Sequence, residues 1–192
     1  MKPNRKNEIF EAAIALFQKE SFDRVTVKQI CEQCGVTKKA FYYHYSSKDD
    51  LILDYYNNVR QKMRAFPRPE EGGADYREQI WAYLEYYIDS TLRLGSDLLK
   101  TLIRIDMDHG CRLFSPFTTG QYVGPVTYET SVVELVSRGQ RAGQIRGDVP
   151  ARDLLMSFSA ALIGIAVHWS SSGGRYDEKA ELRKQFDVIL HP

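Results

Sequence analysis

The chain has 192 residues and a formal net charge of +1, with 43% hydrophobic and 27% charged residues, 13 Gly, 7 Pro and 3 Cys. This composition supports a buried core and excludes disordered, collagen-like and disulfide-framework classes. The longest apolar run, residues 160–167, falls well short of the ~18 residues of a membrane span, and Met1-Lys2-Pro3-Asn4-Arg5 is no apolar signal core, so no membrane partner and a cytoplasmic location are expected.

Residues 1–64 read as short helices separated by turn signals. Ile9, Phe10, Ala13, Leu16 and Phe17 recur at spacings of three and four, predicting a helix over 5–19 that Ser21-Phe22-Asp23 ends. Thr26 then suits an N-cap, with Val27, Ile30 and Cys31 as the inner face of a second helix. Gly35 suits the left-handed conformation that closes a helix, Thr37 caps again, and residues 38–45 make a third helix. Ser47 caps a long fourth helix over 48–64, with Asp49 and Asp50 against its positive end. Phe66-Pro67-Arg68-Pro69-Glu70-Glu71-Gly72-Gly73 is the clearest break in the chain.

Helical patterns resume over 75–94 and 97–109, with breaks at Gly95 and Gly110, and 110–124 is loop-rich. Helices follow over 125–142, 151–170 and 177–190, and no alternating strand pattern appears. The expected fold is all-α, with about nine or ten helices. The expected organisation is a three-helix DNA-binding domain with a helix-turn-helix at 1–47 and a larger effector-binding and dimerisation domain at 48–192, linked by helix 48–64.

The near-zero net charge hides an asymmetry. Residues 1–64 hold 12 Lys and Arg against 8 Asp and Glu, while the other 128 hold 14 against 17. Four lysines, Lys28, Lys38, Lys39 and Lys48, face one acid, Glu32, within residues 27–48. Two short helices joined by a Gly turn, the second basic and aromatic, make a helix-turn-helix pattern. Thr26 stands at a helix N-terminus able to hold a phosphate, and Lys28 lies within reach of the same backbone. The third helix packs through Ala40, Phe41 and Tyr45, leaving Thr37, Lys38, Lys39, Tyr42, Tyr43 and His44 for a groove and its phosphates. The same pattern fits a small solvated helix with its aromatics in a core.

The run Thr26-Val27-Lys28-Gln29-Ile30-Cys31, then Cys34-Gly35-Val36-Thr37-Lys38-Lys39-Ala40-Phe41-Tyr42-Tyr43-His44-Tyr45-Ser46-Ser47-Lys48-Asp49-Asp50-Leu51, resembles the DNA-binding domain of the TetR/AcrR family of transcriptional repressors. The aromatic cluster after the turn and the Ser-Lys-acid-acid-Leu start of the next helix are the diagnostic parts. In the family pattern a Gly often stands where Lys39 is. The resemblance implies phosphate contacts at Thr26, Tyr42, His44 and Lys48, base reading at Thr37, Lys38, Lys39 and Tyr43, and buried positions at Phe41 and Tyr45. It implies a homodimer on a palindromic double-stranded DNA operator, released by a small, largely apolar or aromatic effector, with no cofactor, metal or catalytic residue. More loosely, Arg138-Gly139-Gln140-Arg141-Ala142-Gly143-Gln144-Ile145-Arg146 and Asp148 resemble the turn before the family's last helix pair.

The body offers weaker signals. Leu154, Leu155, Phe158, Ala161, Leu162, Ile165 and Trp169 share a helical face, and Ser157, Ala160, Ala161 and Gly164 are small enough to admit another helix closely. This is a core helix or a dimer helix, and the family places it in the dimer, giving Val132, Val136, Leu155, Phe158, Leu162 and Trp169 as interface candidates. The aromatics of 76–128 fit a pocket or an ordinary core; Tyr87, Ile103, Met107, Phe117 and Tyr128 are the effector candidates.

Cys31-Glu32-Gln33-Cys34 is a lone C-x-x-C with no second pair. Asp106, Asp108, His109 and Cys111 suit a solvated helix end better than a metal site. His168 suits a hydrogen-bonded interface position. The alternatives to an effector-controlled repressor are control by a protein partner, or a metal-dependent enzyme built on Asp106, His109 and Cys111.

Overall fold

The structure is a computed structural model that describes residues 5–64, 75–108 and 127–192, apart from the side chains of residues 60, 63, 64 and 127–131. Among the described residues the secondary structure is helical: α1 (Arg5–Phe17), α2 (Val27–Cys34), α3 (Lys38–His44), α4 (Lys48–Arg64), α5 (Tyr76–Leu92), α6 (Gly95–Asp108), α7 (Thr127–Arg141), α8 (Ala151–Ser171) and α9 (Glu178–Leu190). The fold is all-α, as the periodicity predicts. Gly95 opens α6 at φ 79 rather than merely separating two helices.

Two apolar clusters hold the chain together. The first joins Ile9, Phe17, Ile30 and Phe41 of the N-terminal helices to Leu51, Ile52 and Tyr56 of α4, then to α6 and to Ala166 and Trp169 of α8. The core of the first three helices therefore runs unbroken through α4 into the body. The second gathers α5, α7, α8 and α9 around Ile80, Trp81, Val136, Leu155, Phe158 and Phe186. Tyr55, Tyr87, Leu92 and Leu162 pack against both clusters and mark the seam between them.

Gln140, Gln144 and Ile145 explain the motif at 138–148. The Gln140 amide donates to the carbonyls of Arg146 and Val149, both at 2.8 Å. Gln144 Oε1 accepts from the Tyr76 N–H at 2.7 Å, and a fork from Arg146 to Asp148 closes the turn. The turn therefore ties α7 to α5 and sets where α8 starts.

Among the described helices α8 is long and apolar enough to cross a membrane by length and composition. Its large apolar residues go into the two clusters, which corrects the dimer expectation. Val132, Val136, Leu155, Phe158 and Trp169 are buried within a single chain, and Leu162 lies half-buried at the seam. Side chains already enclosed have no surface left for a second copy. The exposed residues of α8 are instead Arg152, Asp153, Ser157, Ala160, Gly164, Val167, His168 and Ser171.

Candidate nucleic-acid interface

Local chemistry fixes the two short helices. The Thr26 hydroxyl accepts from the Gln29 N–H at 3.2 Å and donates to Gln29 Oε1 at 2.7 Å, while Gln29 Oε1 also accepts from the Thr26 N–H. This capping box satisfies the start of α2. Gly35, at φ 66, ends α2 in the left-handed conformation, its N–H turned back to Cys31 and Glu32. The Thr37 hydroxyl then accepts from the Ala40 N–H at 3.1 Å and starts α3.

Seven residues cannot hold a helix alone. Phe41 and Tyr45 anchor α3 by burial, and the Tyr45 hydroxyl donates to the Lys6 carbonyl of α1. Burial lifts the Tyr45 hydroxyl well above the usual tyrosine range, so it remains a neutral donor.

That anchoring turns the rest of α3 outward. Tyr43 is 84% exposed and Tyr42 55%, with Lys38 and Lys39 exposed beside them. The Tyr43 ring meets His44 edge to face at 5.0 Å. Among the described residues no ion pair engages Lys38 or Lys39 (Lys28 leans toward Glu32 at 3.6 Å). The arrangement presents cations, hydroxyls and flat rings at exposed positions of one short helix, the chemistry that base edges and phosphates accept.

Two of the expected phosphate contacts hold intramolecular bonds in this structure. The Thr26 hydroxyl and N–H are both committed to Gln29, which leaves the Val27 and Lys28 amides, not the Thr26 side chain, at the open end of α2. The Lys48 ammonium, expected on a phosphate, donates to the carbonyls of Phe22 and Val25, both at 2.6 Å, and sits 4.5 Å over the Phe22 ring. No sequence pattern signals either acceptor, because both are backbone atoms more than twenty residues away.

The effector candidates are not brought together as one set. Tyr87 lies at the seam and Ile103 packs on the first cluster, but Met107 is 65% exposed and lines no interior space. Phe117 and the Tyr128 side chain lie outside the described residues. A surface cleft of about 500 Å³ lies between Tyr76, Glu134, Arg138, Arg141 and Ala142, none of them an effector candidate.

Asp106 is buried rather than solvated, because the last turn of α6 still faces the core; Asp108 is exposed, and His109 and Cys111 lie outside the described residues. Among the described residues no three metal-ligating side chains come together. Burial pushes the Cys31 thiol up, and the Cys34 thiol donates to the Ile30 carbonyl at 3.0 Å. His168 is exposed and bonds through Nδ1 to the Tyr176 hydroxyl, which donates to the Ile165 carbonyl.

Comparison with known proteins places this interface. Residues 9–55 match the profile described as bacterial regulatory proteins, tetR family. The HTH-type transcriptional regulator YerO of Bacillus subtilis is 31% identical over 96 residues, which is 44% of this chain and only 32% of YerO. The HTH-type transcriptional repressor AcnR of Corynebacterium diphtheriae is 24% identical over 185 residues, covering 96% of this chain and 89% of AcnR. In fold, the chain is similar to Thermus thermophilus FadR, a TetR family transcriptional repressor solved with lauroyl-CoA, at a TM-score of 0.59 and 19% identity, over 96% of this chain and 92% of FadR. A helix-turn-helix head that matches the tetR-family profile, on an all-helical body with the fold of solved TetR-family regulators, makes the chain similar to the DNA-binding transcriptional regulators of that family.

Proposed function

We propose that the protein is a cytoplasmic repressor that binds an inverted-repeat operator as a homodimer and is released by a small, largely apolar or aromatic effector. The observation that carries this reading is the outward face of α3, where Lys38, Lys39, Tyr42 and Tyr43 are all exposed while Phe41 and Tyr45 are buried beneath them. Lys38, Lys39, Tyr43 and Thr37 read bases in the major groove; Tyr42, His44, Lys28 and the open end of α2 hold the flanking phosphates.

Homodimerisation is supported by a second surface. Ser157, Ala160, Gly164 and Val167 make an exposed, mostly small and uncharged stripe on α8, next to α9, where Val188 is 68% exposed. Small side chains allow close helix approach, so two copies can join through this pair of helices and set two α3 helices about 34 Å apart, one turn of B-DNA.

Effector control is supported by the seam, where Tyr55 and Tyr87 pack against both apolar clusters and the Tyr55 hydroxyl donates to the Ser90 carbonyl at 2.9 Å. A ligand there would favour a dimer whose α3 helices no longer match the groove spacing. That FadR was solved with lauroyl-CoA supports small-molecule binding in this fold.

Selection of bound duplexes from a random pool tests the reading. Enrichment of an inverted repeat with half-sites about 10 bp apart is expected. No enrichment, or a single unrepeated half-site, contradicts it.

A further inference from the structure

Two polar groups without partners are enclosed where α4, α5 and α9 meet. Glu178, the first residue of α9, is buried, and its Oε2 has no hydrogen-bond partner. Tyr56 of α4 is fully buried, and its hydroxyl has no partner either. Burial, then Tyr87, Tyr55 and Glu178, push the Tyr56 hydroxyl well above the usual tyrosine range, so the Glu178 carboxyl lies within electrostatic reach of that ring. Burial and then Glu178 raise the Tyr176 hydroxyl as well. The Trp169 indole N–H holds Tyr176 in place through its carbonyl, at 2.9 Å. Among the described residues no cation pairs with Glu178: the neighbouring Lys179 turns instead to Glu85 and Asp89 of α5, at 2.7 and 3.0 Å. A buried carboxylate without a cation or a hydrogen bond is rare, because it keeps the desolvation cost that a partner would offset.

We infer that Glu178 and Tyr56 form a recognition site for a protonated amine carried on a small apolar or aromatic molecule. The carboxylate supplies the counter-charge, the Tyr56 hydroxyl oxygen accepts an N–H, and the neighbouring rings of Tyr87 and Tyr176 favour a cation over a neutral group. An anion is repelled by Glu178, and a purely apolar molecule leaves both groups unpaired. Leu51, Ile52 and Tyr56 of α4 share one apolar cluster with Phe41 of α3. A ligand drawn between Tyr56 and Glu178 therefore shifts α4, and the reading head with it. The inference rests on the reading that a small effector controls DNA binding, and it names the chemical class of that effector; the site itself is testable without DNA.

The first measurement titrates the full chain calorimetrically with 2-phenylethylamine and tryptamine, and with their neutral counterparts 2-phenylethanol and tryptophol. Burial pushes the Glu178 carboxyl up to about 7, so the titrations are run at pH 8, where it is ionised and both amines are protonated. At least one amine should bind about tenfold more tightly than its alcohol. Glu178→Gln, which keeps the shape of the side chain and removes an unpaired charge, should abolish that preference and leave alcohol binding as it was. Tyr56→Phe should lower amine affinity about threefold. Equal affinity for amine and alcohol, a preference that survives Glu178→Gln, or no binding of either amine overturns the inference.

The second measurement adds the tighter amine, at saturation, to the parent and to Glu178→Gln on a selected duplex. The amine should weaken operator binding by the parent and leave that of Glu178→Gln unchanged. Amine binding that needs Glu178 but leaves operator affinity as it was counts against the effector reading and leaves the site standing. Release of the duplex by an alcohol, undiminished in Glu178→Gln, supports the effector reading and overturns the site.

Discussion

A Cβ added at Gly139 would stand 2.6 Å from Cδ1 of Ile145 and 3.1 Å from Cβ of Tyr76, so α7 touches both the turn that follows it and α5 without room for a methyl group. Ile145 is 2% exposed and cannot swing away. Gly139→Ala gains helix propensity but overpacks this contact, with a net loss of about 1 kcal/mol and a fall in Tm of about 2–4 °C. Ile145→Val, which removes Cδ1, should offset part of that loss, so the double variant is more stable than the sum of the singles predicts. Thermal unfolding of the four proteins checks this.

At Gly35 the constraint is conformational instead of steric. A Cβ there meets nothing within 4 Å, yet φ is 66. Gly35→Ala should lose about 1 kcal/mol, and Gly35→Asn, which tolerates the left-handed region better, should lose less. Equal losses for the two would show that space and not φ governs the site.

Glu178 opens α9 with 3% exposure, and burial alone raises its carboxyl from 4.5 to about 7. The folded protein therefore holds this proton more tightly than the unfolded chain does. Its contribution to stability is fully present below pH 4.5 and is lost as the pH rises through about 7, a change of about 3 kcal/mol. Urea unfolding at pH 5 and pH 8 should show the parent losing more stability over that interval than Glu178→Gln. Parallel profiles would contradict the assignment.

The two faces of α8 should respond differently to substitution. Ala160 is exposed and Leu155 is 2% exposed. Ala160→Glu should leave helical content and Tm intact but shift sedimentation from dimer to monomer at micromolar concentration. Leu155→Ala should lower stability by about 2–5 kcal/mol through the cavity it leaves. A dimer that survives Ala160→Glu would remove this stripe from the interface.

These faces also show what was legible in the sequence. Periodicity marks where Leu154, Leu155, Phe158 and Trp169 align, but apolar periodicity reports burial without saying what covers it, and here the same chain does. The exposed Ser157, Ala160 and Gly164 are small side chains that carry little hydropathic signal. Caps were legible because they are local: Thr26, Gly35 and Thr37 act on atoms within four residues. The split between buried Phe41 and Tyr45 and exposed Tyr42 and Tyr43 was legible because it follows helical spacing. Lys48 was not, since its acceptors are distant carbonyls, and neither was the burial of Asp106, whose polarity suggested water where its position in the turn faced the core.

Tyr43 carries the most exposed large ring on α3, so its role measures most directly whether this helix reads sequence. Binding of the parent and of Tyr43→Ala to the selected duplex and to a scrambled duplex, at one salt concentration, gives the ratio of the two affinities for each protein. A base-reading α3 predicts that Tyr43→Ala lowers that ratio by about tenfold, near 1.4 kcal/mol, while affinity for the scrambled duplex hardly changes. A ratio equal to that of the parent would contradict it.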